Sequence, residues 1–163
     1  MASGRTYTVT SALVTLASTS QTAIICGTTG ATVTADVQAL RIGIYSGGGV
    51  SYPSNGTVQC SLYRPTGTAA GGTAATPRPH NASDIAANST WLDASGGAIT
   101  GLTLGAVVTW NQVLPFTAGA TWADWVTPGA EWRIGASTNL ALYLTCSSAG
   151  TATQFQAEFV FAE

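Results

Sequence analysis

The chain has 163 residues, of which 45% are hydrophobic and only 7% charged, with a formal net charge of −2. That length fits one domain, residues 1–163, with a real core, and the hydrophobic content excludes a disordered polymer. The five basic residues, Arg5, Arg41, Arg64, Arg78 and Arg133, form no cluster in the sequence and Lys is absent, which argues against nucleic-acid binding and a polybasic membrane segment.

A typical soluble domain carries about 25% charged residues. The surface here must therefore be made of Thr, Ser, Gly, Ala, Asn and Gln. Such a surface is easily desolvated, as expected of a chain that packs against other chains. A secreted, Thr/Ser-rich β-protein is the plainer alternative. No apolar run reaches the roughly 18 residues of a bilayer span, and residues 1–10 lack the apolar stretch of an export signal.

Helical periodicity is absent and strand signals recur. Residues 6–10 and 12–16 read as one or two opening strands, and residues 22–26 as a short apolar strand. Residues 37–45 alternate, with Leu40, Ile42 and Ile44 on one face and Arg41 on the other, which marks a strand with one buried side. A Gly- and Pro-containing loop follows, then a strand over residues 57–64 with Val58, Cys60 and Leu62 on one face. Residues 66–89 are small and polar and read as a long loop or strap, a length that is usually functional. Pro77, Arg78, Pro79 and His80 lie in it, the two prolines favouring an extended course. Ser83 is placed to cap a helical turn over residues 84–88.

Residues 107–113 and 131–135 are the next expected strands. Residues 139–146 alternate Leu140, Leu142 and Leu144 with Ala141, Tyr143 and Thr145, and residues 153–161 place Phe155, Ala157, Phe159 and Phe161 on one face. These last two read as an antiparallel hairpin turning at residues 147–150. The total of eight to ten strands points to an all-β, single-domain antiparallel β-sandwich, most economically a jelly roll.

Chemistry-bearing patterns are sparse, and no catalytic residue, cofactor or metal site is expected. Cys26, Cys60 and Cys146 show no metal-ligand spacing. Reduced core thiols are the default reading, with one disulfide left open as an alternative. His80 has Asp84 four residues on, but no serine sits in a nucleophile motif. Gly47–Gly49 has no following Lys or helix to make a phosphate loop. The Asn-x-Ser/Thr triplets at Asn55, Asn81 and Asn88 are chance matches in a Thr/Ser-rich chain. The most functional-looking stretch is residues 121–133, where Asp124 and Glu131 lie among Trp122, Trp125 and Trp132. Three readings stay open for it: an end of the core, a protein interface, or a sugar site with two carboxylates.

An Arg-Thr-Tyr-Thr-Val opening at residues 5–9, a loop combining Gly71-Gly-Thr73, Thr76-Pro-Arg-Pro79 and Asp84-Ile-Ala-Ala-Asn88, and a Phe-rich last strand are found together. In these the chain resembles the small β-proteins of tailed bacteriophages, particularly capsid decoration (cement) proteins. The resemblance implies a jelly-roll-like fold, often a homotrimer, bound to the major capsid protein on the outer surface of a virion and made in the host cytoplasm. It carries over no active site. In that setting Trp110, Phe116, Trp122 and Trp125, with Pro77, Arg78, Pro79 and His80, are the candidate interface residues. A receptor- or glycan-binding fibre or tip domain of a phage particle is the rival expectation, and a small glycosidase using Asp124 and Glu131 the weakest.

Overall fold

The computed structural model describes residues 4–16, 20–45, 56–105, 108–115, 121–147 and 153–163. Fifteen strands run through them: β1 (Thr6–Thr10), β2 (Val14–Leu16), β3 (Thr22–Thr28), β4 (Ala35–Tyr45), β5 (Thr57–Tyr63), β6 (Thr66–Gly71), β7 (Thr73–Ala75), β8 (Arg78–Pro79), β9 (Thr90–Asp93), β10 (Ile99–Thr103), β11 (Val108–Pro115), β12 (Thr121–Trp125), β13 (Trp132–Ile134), β14 (Asn139–Cys146) and β15 (Thr153–Ala162). Sheet one has the order β12-β4-β15-β1-β8, with β13 also on β4 and β2 also on β15. Sheet two has the order β11-β5-β14-β3-β9-β7, and β6 pairs with β10 in a separate ribbon.

The sandwich is a jelly roll. Taking the long strands alone, β1, β4, β12 and β15 lie in sheet one and β3, β5, β11 and β14 in sheet two. The chain changes sheet at every step except β5 to β11, which are paired neighbours. The expected strands cover seven of these eight: the sequence presents β12 only as part of a Trp-rich stretch, while β2 and β13, both expected, lie outside the framework. The surplus is mostly the excursion between β5 and β11, which carries β6 to β10.

That excursion corrects the reading of residues 66–89 as a loop. Small polar residues there form β6, β7 and β8, which attach to the ribbon, to sheet two and to sheet one respectively. Four of the ribbon-side glycines, Gly67, Gly71, Gly72 and Gly101, have positive φ. A side chain at Gly67 would collide with the carbonyl of Gly101, and one at Gly101 with the carbonyl of Thr68. Glycine is thus what lets these two backbones pair so closely. The expected helical turn after Ser83 is also replaced: Asn81 Oδ1 accepts from the Ser83 amide at 3.2 Å and its hydroxyl at 2.9 Å, an Asx turn.

The expected hairpin of the last two strands is not formed. β14 pairs with β3 and β5, whereas β15 pairs with β4 and β1 in the opposite sheet. The physical reason is that β14 is covered on both faces. Leu140, Leu142 and Leu144 point into the sandwich, while Ala141 and Tyr143 join Ala23 and Cys26 in a second cluster under Tyr63, Ala69, Ile99 and Leu102. A strand buried on both sides belongs in the middle of a sheet.

The inner faces behave as the alternation predicts. Leu40, Ile42, Ile44, Phe155, Phe159 and Phe161 are all fully buried. β4 keeps its inward face past a bulge: Val160 pairs with Ala39 and Phe161 with Val37, leaving Gln38 as the extra residue. Trp91 on β9 fills the centre, 5.3 Å from the ring of Phe159 and 5.1 Å from that of Phe161. Gly27, its partner across the β3–β9 pair, leaves room for the indole: a Cβ at Gly27 would stand 2.7 Å from two ring carbons.

Candidate interaction surface

The tryptophans of residues 110–132 divide into two groups. Trp110 on the edge of sheet two and Trp122 and Trp132 on sheet one meet between the sheets, with ring centroids 4.8 and 5.9 Å apart from Trp110. They pack on the main core and close the side of the sandwich where β11 and β12 are the sheet edges. Trp125 faces outward, 61% exposed, and the guanidinium of Arg41 lies over its ring at 5.1 Å. The core-end reading describes Trp110, Trp122 and Trp132, and among the described tryptophans Trp125 alone faces solvent. Phe116 lies outside the described residues.

Asp124 and Glu131 each accept a hydrogen bond from a different neighbour. Asp124 Oδ2 accepts from the Trp110 indole N–H at 3.1 Å, and both Glu131 oxygens accept from the Gly129 amide at 2.9 Å. Each is occupied as a local acceptor. His80 meets no acid: its Nε2 is 2.6 Å from Thr8 Oγ1 and its amide donates to the Thr6 carbonyl at 2.8 Å. Pro79 and Arg78 pair with Tyr7 and Thr8. The residues expected on a projecting strap are thus the edge of sheet one. Among the described residues, no group of three or more His, Cys, Asp or Glu side chains could hold a metal ion.

All three cysteines are free and buried. Burial pushes the Cys26 thiol up to about 11, against a hydrogen bond with Thr28 that lowers it. Burial, with Cys146 nearby, pushes Cys60 up to about 12. Cys60 faces Leu144 and Cys146 faces Val58 on adjacent strands. These thiols serve as small apolar side chains.

The remaining acids are also engaged. Asp36 takes a bidentate pair from Arg133 at 2.7 and 2.9 Å. Glu158 binds Arg41 at 2.6 Å and accepts from Thr10 at 3.2 Å. Asp84 lies 3.7 Å from Arg5. Asp93, buried, accepts from the Ala12 and Ser95 amides at 2.9 Å. Glu163 accepts from the Asn88 and Ser89 amides at 2.8 and 2.9 Å. Three of the five arginines are therefore neutralised by carboxylates on the surface.

The outer face of sheet one holds a groove of about 250 Å³ that reading the sequence alone did not assemble. Its lining includes Thr10, Arg41, Gly43, Tyr45, Trp122, Gln156 and Glu158. Strand register builds it: Thr121, Gly43 and Gln156 form one row across three strands, and Ala123, Arg41 and Glu158 the next. Tyr45 folds back over Gly43, where a Cβ would approach its ring to 2.7 Å, and donates its hydroxyl to Gln156 Oε1 at 3.1 Å. The signal for this face was the polar half of each alternating strand, which reads as mere solvent exposure until the strands are laid side by side. No protein-family model matches the chain, and no curated protein matches it.

Proposed function

We propose that the chain is a non-enzymatic structural protein of an assembled phage particle: a homotrimeric decoration protein that binds the outer surface of the major capsid protein lattice and stabilises the head. The observation that carries this reading is a surface with few charges, half of them paired off, and with apolar side chains displayed. The ion pairs Arg5–Asp84, Arg41–Glu158 and Arg133–Asp36 use up six of the twelve charged residues. Leu13, Ile85, Leu104, Val113 and Trp125 stand exposed. Covering such a surface removes apolar area from water while desolvating few unpaired charges, which is where buried interfaces lose energy. Symmetry multiplies weak contacts into stable occupancy without any single strong site. Trp125 is the anchor on this reading, since aromatic side chains dominate interface energetics.

Co-sedimentation tests it. The chain, a 16.5 kDa protomer, is mixed with undecorated heads of the particle that encodes it and spun through a cushion. It should pellet at a stoichiometry matching the lattice symmetry axes, run as a trimer by light scattering, and raise the temperature at which the heads rupture. Trp125→Ala should reduce pelleting without altering the melting curve of the free chain. A chain that stays in the supernatant at saturating concentration refutes the decoration reading.

A further inference from the structure

We infer that the groove on the outer face of sheet one is a binding site for a neutral saccharide. The site stands on residues other than the anchor of the decoration reading and does not depend on it.

The argument starts from what each strand contributes. Position 43 of β4 and positions 121 and 123 of β12 carry Gly, Thr and Ala, so the sheet face is low there. Around this floor stand the longer side chains of the neighbouring rows. The Tyr45 ring, 40% exposed, lies over Gly43. The Arg41 guanidinium leans the other way, onto Trp125, and is held there by Glu158. The trough is open to solvent, and its volume of about 250 Å³ lies just below the roughly 300–1,000 Å³ of drug-sized ligand pockets. That is room for a sugar ring or the end of a short oligosaccharide, and too little for a folded partner to insert a large side-chain cluster.

The chemistry of the rim matches a saccharide on both of its aspects. A pyranose has C–H faces and hydroxyl edges. An aromatic ring stacks on the C–H face of a sugar, and Tyr45, 40% exposed beside Gly43, is the ring that lines the trough. Hydroxyls that both donate and accept need planar groups with paired donor and acceptor atoms. Gln156 and Glu158, both on β15, supply an amide and a carboxylate on one side of the trough. Their existing bonds hold them in place. Gln156 Nε2 donates to the Ser11 carbonyl at 3.1 Å while its Oε1 accepts from Tyr45. Glu158 bridges Arg41 and Thr10. Groups fixed in this way lose little freedom on binding.

The charge balance chooses among sugars. Arg41 and Glu158 pair at 2.6 Å, so the trough presents no uncompensated cation for a carboxylate, sulfate or phosphate. A neutral ring is favoured over an acidic one. Only one carboxylate reaches the trough, so recognition does not run through a bridging calcium ion, which needs several oxygen ligands from the protein.

The test uses the full chain on a printed panel of neutral oligosaccharides built from glucose, galactose, mannose and N-acetylglucosamine, beside sialylated and sulfated counterparts, with titration calorimetry on the hits. Binding to a subset of the neutral probes is expected, competed by free sugar and insensitive to EDTA. Tyr45→Ala and Gln156→Leu should each weaken it by about tenfold or more. Tyr45→Phe should retain most of it, and Val113→Ala on the other sheet all of it, with melting curves of each variant checked against the parent. Absence of binding to every neutral probe overturns the proposal. So does binding that survives both Tyr45→Ala and Gln156→Leu, or a preference for the acidic probes. Capsid pelleting is read separately, so loss of one reading leaves the other standing.

Discussion

Gly27 and Trp91 give the sharpest test of how the sandwich is packed. They face one another across the β3–β9 pair, and a methyl group at Gly27 would sit 2.7 Å from the indole. The indole has no room to retreat. It is 2% exposed, lies against Phe159 and Phe161, and donates its N–H to Ser89 Oγ at 3.0 Å. Gly27 has no positive φ, so alanine there is free of backbone strain and would otherwise be neutral or slightly stabilising. Overpacking a close-packed interior costs about 1–3 kcal/mol. Gly27→Ala should therefore destabilise by about 2 kcal/mol, a fall in Tm of roughly 4–8 °C for a chain of this size. Trp91→Ala should cost about 3–5 kcal/mol through the cavity it leaves. In the Trp91→Ala background the Gly27→Ala penalty should vanish, a coupling of about 2 kcal/mol. Urea unfolding of the four proteins, followed by far-UV circular dichroism, measures the cycle. Additivity within about 0.5 kcal/mol would refute the placement of β9 beside β3.

Other consequences are simpler to read. Removing residues 66–89 should abolish cooperative unfolding, because it deletes β6, β7 and β8 and uncovers Tyr143 and Cys26; thermal melts decide this. Native Cys26 and Cys60 should resist a thiol reagent at pH 8 and react in urea. Their folded-state values of about 11 and 12 exceed the ordinary 9.0, so the stability they contribute is complete below pH 9 and is lost as pH rises towards 11–12. Glu163→Ala should lower stability by about 1 kcal/mol, since the Asn88 and Ser89 amides lose a charged acceptor; denaturant midpoints report it.

The sandwich itself was legible because its information is local. Period-2 alternation in residues 37–45, 57–64 and 153–161 states which side of each strand is buried, and the structure keeps those sides. Pairing was not legible. Residues 139–146 and 153–161 look like hairpin partners because they are adjacent and both strongly apolar. Only the second buried face, Ala141 and Tyr143, separates them into different sheets, and small or aromatic residues read ambiguously as to burial. The strands β6 and β7 were missed because their Gly and Ala residues break the period-2 alternation and carry little strand signal, and β8 because it is two residues long and contains Pro79. Their conformation is imposed by glycine close approach and by neighbours that are distant in sequence. The groove shares this difficulty: Arg41, Tyr45, Gln156 and Glu158 come from two strands more than a hundred residues apart, and each looks ordinary in its own strand. Trp110, Trp122 and Trp125 look alike in the sequence and differ only in which way their side chains face, Trp125 to solvent and the other two onto the core.

The position of β15 has a consequence for how the molecule comes into being. It lies between β4 and β1 and pairs along its length with both. Sheet one therefore has a vacant middle until residues 153–162 have emerged from the ribosome. Until then the buried faces of β1 and β4, including Tyr7, Val9, Leu40 and Ile42, have no strand between them and must wait exposed or under a chaperone. Closure by distant segments is slow, on the order of milliseconds to seconds for all-β domains. β15 thus acts as the key that locks the sheet, and a chain stopped before residue 153 should give insoluble material instead of a shortened sandwich.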